Sequence, residues 1–136
     1  MSYDSYSGLA FPTLQLSGIM IMATTSLSVF MLVKTTQEWL GFSVEHRFEL
    51  MRTQMEPILQ KHAAQVSMRF FDIEFYSARV TDLWLWETDS HHAYELLVED
   101  LRETPFWDRY FTIVEILPGV ENAYAKNYDQ APLLSA

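Results

Sequence analysis

The 136-residue chain has a length at which one hydrophobic core is the usual arrangement, so we expect a single domain. Its 18 acidic and 9 basic residues give a formal net charge of −9, which disfavours nucleic acid as a partner because the protein's field repels a polyanion. Cysteine is absent, which excludes disulfides, thiolate nucleophiles and sulfur-based metal sites.

The N-terminal region differs in composition from the rest of the chain. Residues 16–23 form a short apolar run, but no cationic segment precedes them because Lys34 is the first basic residue. No apolar run reaches the ~20 residues of a membrane helix. We therefore expect a cytoplasmic protein that has no membrane partner. It should comprise an N-terminal extension over 1–25, loosely ordered, a domain over 26–124 and a C-terminal tail over 125–136.

The domain begins with a predicted strand over residues 26–36, where β-branched and aromatic residues alternate before a continuous apolar centre. Ser43 is a typical N-cap for the next element, an amphipathic helix whose apolar stripe spans residues 44–62. Pro57 lies within this stripe and has no N–H to donate to the Thr53 carbonyl. We expect a helix kink at this proline.

The second half of the domain predicts a hairpin, a helix and a last strand. The hairpin strands cover residues 65–77 and 81–87, and residues 88–90 offer three N-cap candidates for the helix. The last strand covers 110–117, and Pro118 with Gly119 should break it. This β-α-β-β-α-β order predicts an α+β, ferredoxin-like domain, a four-stranded antiparallel sheet with two helices on one face.

Side-chain alternation predicts what each face of the hairpin carries. We expect the helices to cover the face that bears Ile73, Leu83 and Leu85. The helix-free face would then carry aromatic and acidic residues: Phe70, Asp72, Glu74, Tyr76, Asp82, Trp84 and Trp86. Because a monomer would expose these aromatic side chains, we predict a homodimer, a dimeric α+β barrel whose sheets enclose a ligand cavity.

One segment of the hairpin carries a family resemblance. Residues 69–79 contain a Phe-Asp-x-Glu-x-x-Ser-x-Arg core, followed by Leu-Arg-Glu-Thr-Pro-Phe at 101–106 and Ile-Leu-Pro-Gly-Val-Glu at 116–121. Over residues 27–124 the chain resembles the darcynin family of small bacterial proteins. The resemblance implies a dimeric α+β barrel-like fold and transfers no catalytic residue.

The crowded acids are the first candidates for catalysis. Four polar side chains are predicted to share the cavity: Asp72, Glu74, Tyr76 and, from the neighbouring strand, Asp82. Carboxylates that are crowded in a half-apolar cavity have at least one raised pKa, which suits a general acid or base. Alternatively, these acids pair with Arg79 or Arg69 and serve the structure alone.

A second set of residues is predicted to bind the substrate: Arg79, Trp84, Trp86, Phe70, Asp82 and Trp39. Arg79 could anchor a carboxylate or enolate through its guanidinium, or it could clamp the hairpin. The two hairpin tryptophans could stack on a planar ring, or they could anchor the dimer interface.

The histidines give weaker signals. His46 lies near the start of the first helix and is a candidate catalytic residue, although a lone histidine is also common on a surface. His91, His92 and Glu95 have a spacing that can bind a metal on a helix face, but a solvated face explains them equally well. We expect no metal and no cofactor, and no histidine is placed to ligate haem in the cavity.

These patterns predict a small-molecule-binding dimer, with a cofactor-independent isomerase or cyclase as the preferred activity and a conjugated or aromatic metabolite as its substrate. In this scheme Asp72 or Glu74 transfers the proton, Tyr76 donates a hydrogen bond, and Arg79 positions the substrate. The alternative is a non-enzymatic dimer that binds or scaffolds, in which the acids and tryptophans serve the interface.

Overall fold

The computed structural model describes residues 13–16, 19–22 and 27–133. The first two ranges are strands β1 (Thr13–Leu16) and β2 (Ile19–Met22), which pair antiparallel in a two-stranded sheet of their own. The predicted loosely ordered extension otherwise lies outside the described residues, as does the end of the C-terminal tail.

The main sheet has four antiparallel strands in the spatial order β4-β5-β3-β6. The two strands at its centre are therefore the first and third of the domain, which is the arrangement of a ferredoxin-like fold and confirms the prediction. The strands are β3 (Leu27–Thr35), β4 (Val66–Asp72), β5 (Asp82–Thr88) and β6 (Phe111–Gly119).

The connection from β3 to β4 is helical in four consecutive pieces. These are α1 (Gln37–Gly41), α2 (Val44–Leu50), a π-helical segment (Met51–Met55) and α3 (Glu56–Lys61). Helix α1, capped by the Thr36 side chain, was not predicted. Helix α2 begins as predicted, because the Ser43 hydroxyl accepts a hydrogen bond from the His46 N–H.

The irregularity expected at Pro57 takes the form of the π-helical segment. Pro57 lies in the first turn of α3, directly after this segment. Because the proline has no N–H to donate to the Thr53 carbonyl, the backbone widens before it, and the Glu56 N–H bonds to the Met51 carbonyl five residues back. The wider turn lies on the side of the candidate site.

The remaining elements follow the sequence pattern with shifted ends. Helix α4 (His91–Arg102) has Ser90, one of the three N-cap candidates, as its N-cap, and a short helix α5 (Ala123–Asn127) lies in the C-terminal part. Strand β4 ends at Asp72 rather than at residue 77, and β6 continues through Pro118 to Gly119. Proline is tolerated there because β6 is an edge strand.

The helices cover the opposite face of the sheet from the one predicted. Trp84 and Trp86 are fully buried in one core with Leu97 and Leu101 of α4, whereas Leu83 and Leu85 lie on the other side of β5 and outside that core. The prediction assumed that the aliphatic side must meet the helices. The side of β5 that bears the tryptophans meets the helices because each tryptophan buries more apolar surface than a leucine does.

The helix-free face of the sheet still carries exposed apolar surface. Phe30, Phe71 and Leu117 are 39%, 44% and 45% exposed, and strand pairing places Leu32 and Leu83 on the same face. The exposed residues that favour a partner on this face are therefore not the predicted tryptophans. The physical reason is unchanged, because a monomer leaves this apolar surface in contact with water. In the described part of the chain, no helix is long and apolar enough to cross a membrane.

Candidate active site

A cavity lies between the helix-covered face of the sheet and the segment formed by α2 and the π-helix. One part, which we call the acidic cavity, has a volume of about 430 Å³, and its lining includes Asp72, Glu74, Asp82, Trp39 and Phe70. The other part, the apolar cavity, has a volume of about 240 Å³, and its lining includes Met55, Trp84 and Phe106. Four residues line both parts, namely Phe48, Met51, Phe70 and Phe111, so the two cavities adjoin.

The end of the β4–β5 hairpin positions the three acids. Asp72, the last residue of β4, lies directly opposite Asp82, the first residue of β5. Glu74 follows in the turn, where its N–H and that of Ile73 donate to the Thr81 carbonyl at 2.9 and 2.7 Å. Carboxylate oxygens of the three acids lie within 4.8 Å of one another. The hairpin thus brings the three acids together, but in a cavity under the helices of one chain and not in the predicted cavity between the sheets of a dimer.

Asp82 is the buried member of this group, with 5% of its surface exposed, whereas Asp72 and Glu74 are exposed. Its Oδ2 accepts a hydrogen bond of 2.6 Å from the Thr81 hydroxyl. Burial raises the pKa of Asp82 to about 6, the Thr81 hydrogen bond opposes that rise, and the neighbouring Glu74 and Asp72 carboxylates add to it. Asp82 can therefore exchange a proton close to neutral pH.

Neither predicted arginine partner reaches the acids. Arg79 Nη1 lies 3.5 Å from Glu115 Oε1, and Arg69 Nε lies 3.2 Å from Glu87 Oε1. Among residues 27–133, no lysine or arginine forms an ion pair with Asp72, Glu74 or Asp82. The negative charge at this end of the cavity is therefore not neutralised by a direct partner in that range.

The structure places the other predicted site residues in three settings. Phe70 lines both cavities, Trp39 lines the acidic cavity, and Trp84 lines the apolar cavity. Trp86 is buried in the core and lines neither of them. The Nε1 atoms of Trp84 and Trp86 are buried without a hydrogen-bond partner among the described residues.

Besides Trp86, three further predicted site residues lie outside the cavity lining. Tyr76 is 90% exposed in the turn after β4, because the strand ends before it, so its expected alignment with Asp72 is wrong. Arg79 is exposed in the same connection and bonded to Glu115. His46 is exposed on α2, with its Nδ1 3.1 Å from Glu49.

Sequence reasoning missed Arg47, Thr35 and Thr81, which all line the acidic cavity. Arg47 donates from Nε and Nη2 to the carbonyls of Trp39 and Leu40 at 3.1 and 2.9 Å, which ties α1 to α2 at the cavity wall. The position of Arg47 in the sequence does not indicate a cavity residue, since its hydrogen-bond partners belong to helix α1, which the sequence pattern does not predict. Thr81 had one usable signal, its position next to Asp82.

The donor types in the cavity bear on metals and cofactors. The three carboxylates of Asp72, Glu74 and Asp82 are the residues that could hold a hard divalent cation. None of the four histidines lines either cavity, so the imidazole that commonly ligates haem is absent from this lining. His92 Nδ1 lies 3.8 Å from Glu95 Oε1 on an exposed helix face.

Comparison with known proteins identifies the family. A family model described as "Darcynin, domain of unknown function" matches residues 15–136. The chain belongs to the darcynin family. The matched range extends beyond residues 27–124, which carried the resemblance in the sequence. A "Darcynin homolog" of Granulibacter bethesdensis is 68% identical over 111 residues, which are 82% of this chain and 89% of the relative.

Two further darcynin relatives are more distant. A "Darcynin homolog" of Streptomyces avermitilis is 54% identical over 106 residues, covering 78% of this chain and 88% of the relative. A "Darcynin" of Chromobacterium violaceum is 40% identical over 76 residues, covering 55% of this chain and 94% of the relative. Darcynin relatives of this chain are thus present in more than one bacterium.

Solved structures of similar fold include chlorite dismutases from Candidatus Nitrospira defluvii. One mutant of that enzyme superposes with a TM-score of 0.66 at 16% identity, over 79% of this chain and 44% of the other. Another gives 0.62 at 13% identity, over 76% and 45%. The chain spans less than half the length of these proteins, and at such low identity the likeness shows the α+β, ferredoxin-like fold alone.

Proposed function

We propose that this darcynin is a small-molecule-binding α+β barrel that catalyses cofactor-independent proton transfer, an isomerisation or cyclisation, on a conjugated or aromatic molecule. The observation that carries the proposal is Asp82, a buried carboxyl with a pKa of about 6 in a cavity whose adjoining part is apolar. A general base or acid needs a pKa near the working pH, and burial supplies it here.

Asp82 replaces Asp72 or Glu74 as the proposed proton carrier. The latter two are exposed and have the supporting role of raising the pKa of Asp82 by their charge. The proposed step removes a proton from a carbon next to an electron-withdrawing group, leaving a delocalised anion, and the same carboxyl returns the proton to another carbon. Atoms and electrons balance within the substrate, so the step needs no co-reactant.

The walls of the cavity support a planar, weakly polar ligand. Phe48, Phe70 and Phe111 line both parts of the cavity, and Trp39 lines the acidic part. Aromatic side chains bind conjugated rings through stacked or edge contacts. The three carboxylates disfavour an anionic ligand, so a neutral or cationic molecule fits better.

The proposal is testable with 5-nitrobenzisoxazole, a planar neutral probe that opens to a coloured phenolate when a base removes its carbon-bound proton. We expect the protein to accelerate this opening, with a rate that rises with pH through about 6 because the ionised Asp82 is the base. Asp82→Asn should lower the rate by ~100-fold or more, the usual contribution of a general base.

Glu87→Gln is the matched control, because Glu87 lies on the helix-free face and outside both cavities. It should leave the ring-opening rate unchanged. Equal rates for the parent and Asp82→Asn would contradict the catalytic role of Asp82. If the probe binds in the cavity without reacting, the non-enzymatic alternative of a binding or scaffold dimer is favoured.

We further propose that the protein is a homodimer that covers the helix-free face of the sheet. Phe30, Phe71 and Leu117 are partly exposed there, and burial of this surface against a second copy removes it from water. Light scattering should give about twice the 15.9 kDa chain mass. Phe30→Glu on central strand β3 should give monomers.

Val44→Glu is the control for the dimer, since Val44 is an exposed apolar residue of α2 on the other side of the molecule. This variant should remain dimeric. A parent protein that is monomeric at micromolar concentration, or a Phe30→Glu variant that keeps the parent mass, would overturn the dimer.

A further inference from the structure

Thr81 connects the three segments that build the acidic cavity. Its backbone N–H donates to the Val33 carbonyl of β3 at 2.9 Å, and its own carbonyl accepts from Ile73 and Glu74 in the turn after β4. Thr81 is also part of the lining of the acidic cavity. One residue thus joins a central strand, the turn that bears Glu74 and the start of β5.

The hydroxyl of Thr81 has a defined direction. It accepts a hydrogen bond of 2.9 Å from the Thr35 N–H, and its oxygen lies 2.6 Å from Asp82 Oδ2. A hydroxyl has a single proton to donate, and the Thr35 N–H already occupies one of its lone pairs. The proton of Thr81 is therefore directed at Asp82 Oδ2, which leaves Oδ1 as the oxygen that can gain and lose a proton.

We propose that Thr81 is a positioning residue for Asp82, whose hydroxyl fixes the orientation of the carboxyl and keeps Oδ1 as the oxygen that exchanges a proton with the ligand. This inference rests on the proposed proton-transfer function for its chemical meaning, but the hydrogen-bond geometry that carries it does not depend on any reaction. The proposal adds Thr81, a polar residue that is not one of the three acids, to the residues that control the chemistry of the site.

The charged groups around Asp82 come from three elements. Asp72 at the end of β4 and Glu74 in the following turn both raise its pKa, while Arg47 of α2 lines the same cavity with its Nε and Nη2 bonded to backbone carbonyls. Of the groups that shift the pKa of Asp82, the Thr81 hydroxyl is the one that lowers it. Its removal should therefore move the titration of Asp82 upward.

The experiment compares Thr81→Val, which removes the hydroxyl at similar volume, with Thr81→Ser, which keeps it. The carboxyl carbon of Asp82 is followed by ¹³C NMR during a pH titration of the full chain without a ligand. In Thr81→Val we expect the midpoint to rise from about 6 by roughly one to two pH units, the worth of one hydrogen bond to a charged group. Thr81→Ser should titrate like the parent.

The hydroxyl-free variants lose the bond from the Thr35 N–H, but the backbone bonds of Thr81 to Val33, Ile73 and Glu74 do not use its side chain and are retained. Thr81→Ala provides a second hydroxyl-free variant should valine not be accommodated. An unchanged midpoint in both hydroxyl-free variants, or a serine variant that shifts as far as valine, would overturn the positioning role.

The titration is separable from the proposed function. If the midpoint moves as expected while 5-nitrobenzisoxazole is not opened, Thr81 still positions Asp82 and the proton-transfer activity fails alone. If the probe is opened, the pH midpoint of its rate should move upward in Thr81→Val together with the NMR midpoint. A rate profile that stays at the parent midpoint in this variant would contradict the proposed coupling.

Discussion

Asp82 and Asp100 are aspartates whose surroundings push their acidity in opposite directions. Asp82 lies in the acidic cavity with two other carboxylates, and burial raises its pKa to about 6. Asp100 on α4 lies 2.9 Å from Lys61 Nζ and 2.7 Å from His62 Nε2, and hydrogen bonds from these two side chains lower its pKa. The surroundings of the two aspartates therefore favour opposite protonation states of the same residue type.

The difference follows from what each carboxylate does for the fold. Asp100 ties α4 to the end of α3, so its charge is paired and its ionised form is stabilised. Asp82 closes no ion pair within residues 27–133, and its ionised form is held against burial and like charge. A carboxyl group whose ionised form is destabilised by its surroundings is the better candidate for function.

The largest expected effect is therefore a gain in stability for Asp82→Asn. The pKa of Asp82 is higher in the folded state, about 6, than the ordinary value of 3.8, so the stability from this group is full below pH 3.8 and is lost as the pH rises through about 6. At pH 8 the ionised carboxylate should cost about 3 kcal/mol, which the amide avoids. Urea unfolding at pH 8 should show Asp82→Asn as more stable than the parent.

The same pair of proteins at pH 3.5 is the internal control, because both side chains are then neutral and the difference should nearly vanish. A variant that is less stable than the parent at pH 8 would mean that the Asp82 carboxylate has a favourable partner. In that case the proposed role in proton transfer would have to be abandoned together with the comparison to Asp100.

The element order was predictable because the sequence carries strong local signals. Ser43 and Ser90 are N-caps in the structure as they are in the pattern, and the strands recur where β-branched and aromatic residues concentrate. The face of the sheet was not predictable in this way. Alternation divides side chains into two sets, but the choice of the set that meets the helices depends on packing of Trp84 and Trp86 against α4.

The candidate site was predictable in part for the same reason. The grouping of Asp72, Glu74 and Asp82 follows from hairpin pairing, which is local, and it is present. Tyr76 was misplaced because β4 ends at Asp72. The hydrogen bond from Thr35 to Thr81 spans 46 residues, and no local pattern indicates such a contact.

The smaller expected effect concerns the other half of the comparison, Asp100→Asn. The pKa of Asp100 is depressed in the folded state, so its stabilisation is present above the ordinary value of 3.8 and is lost as the pH falls through the lower folded value. Lys61 is largely exposed and Asp100 is about one-third exposed, so solvent screens the pair. We expect a loss of ~1 kcal/mol at pH 7, measured by urea unfolding.

Glu99→Gln is the matched control, because its partner Arg102 is 4.0 Å away and both side chains are exposed, and it should leave stability unchanged. If Asp100→Asn also leaves stability unchanged at pH 7, then the pairing seen at Asp100 contributes no stability, and burial alone separates the two aspartates.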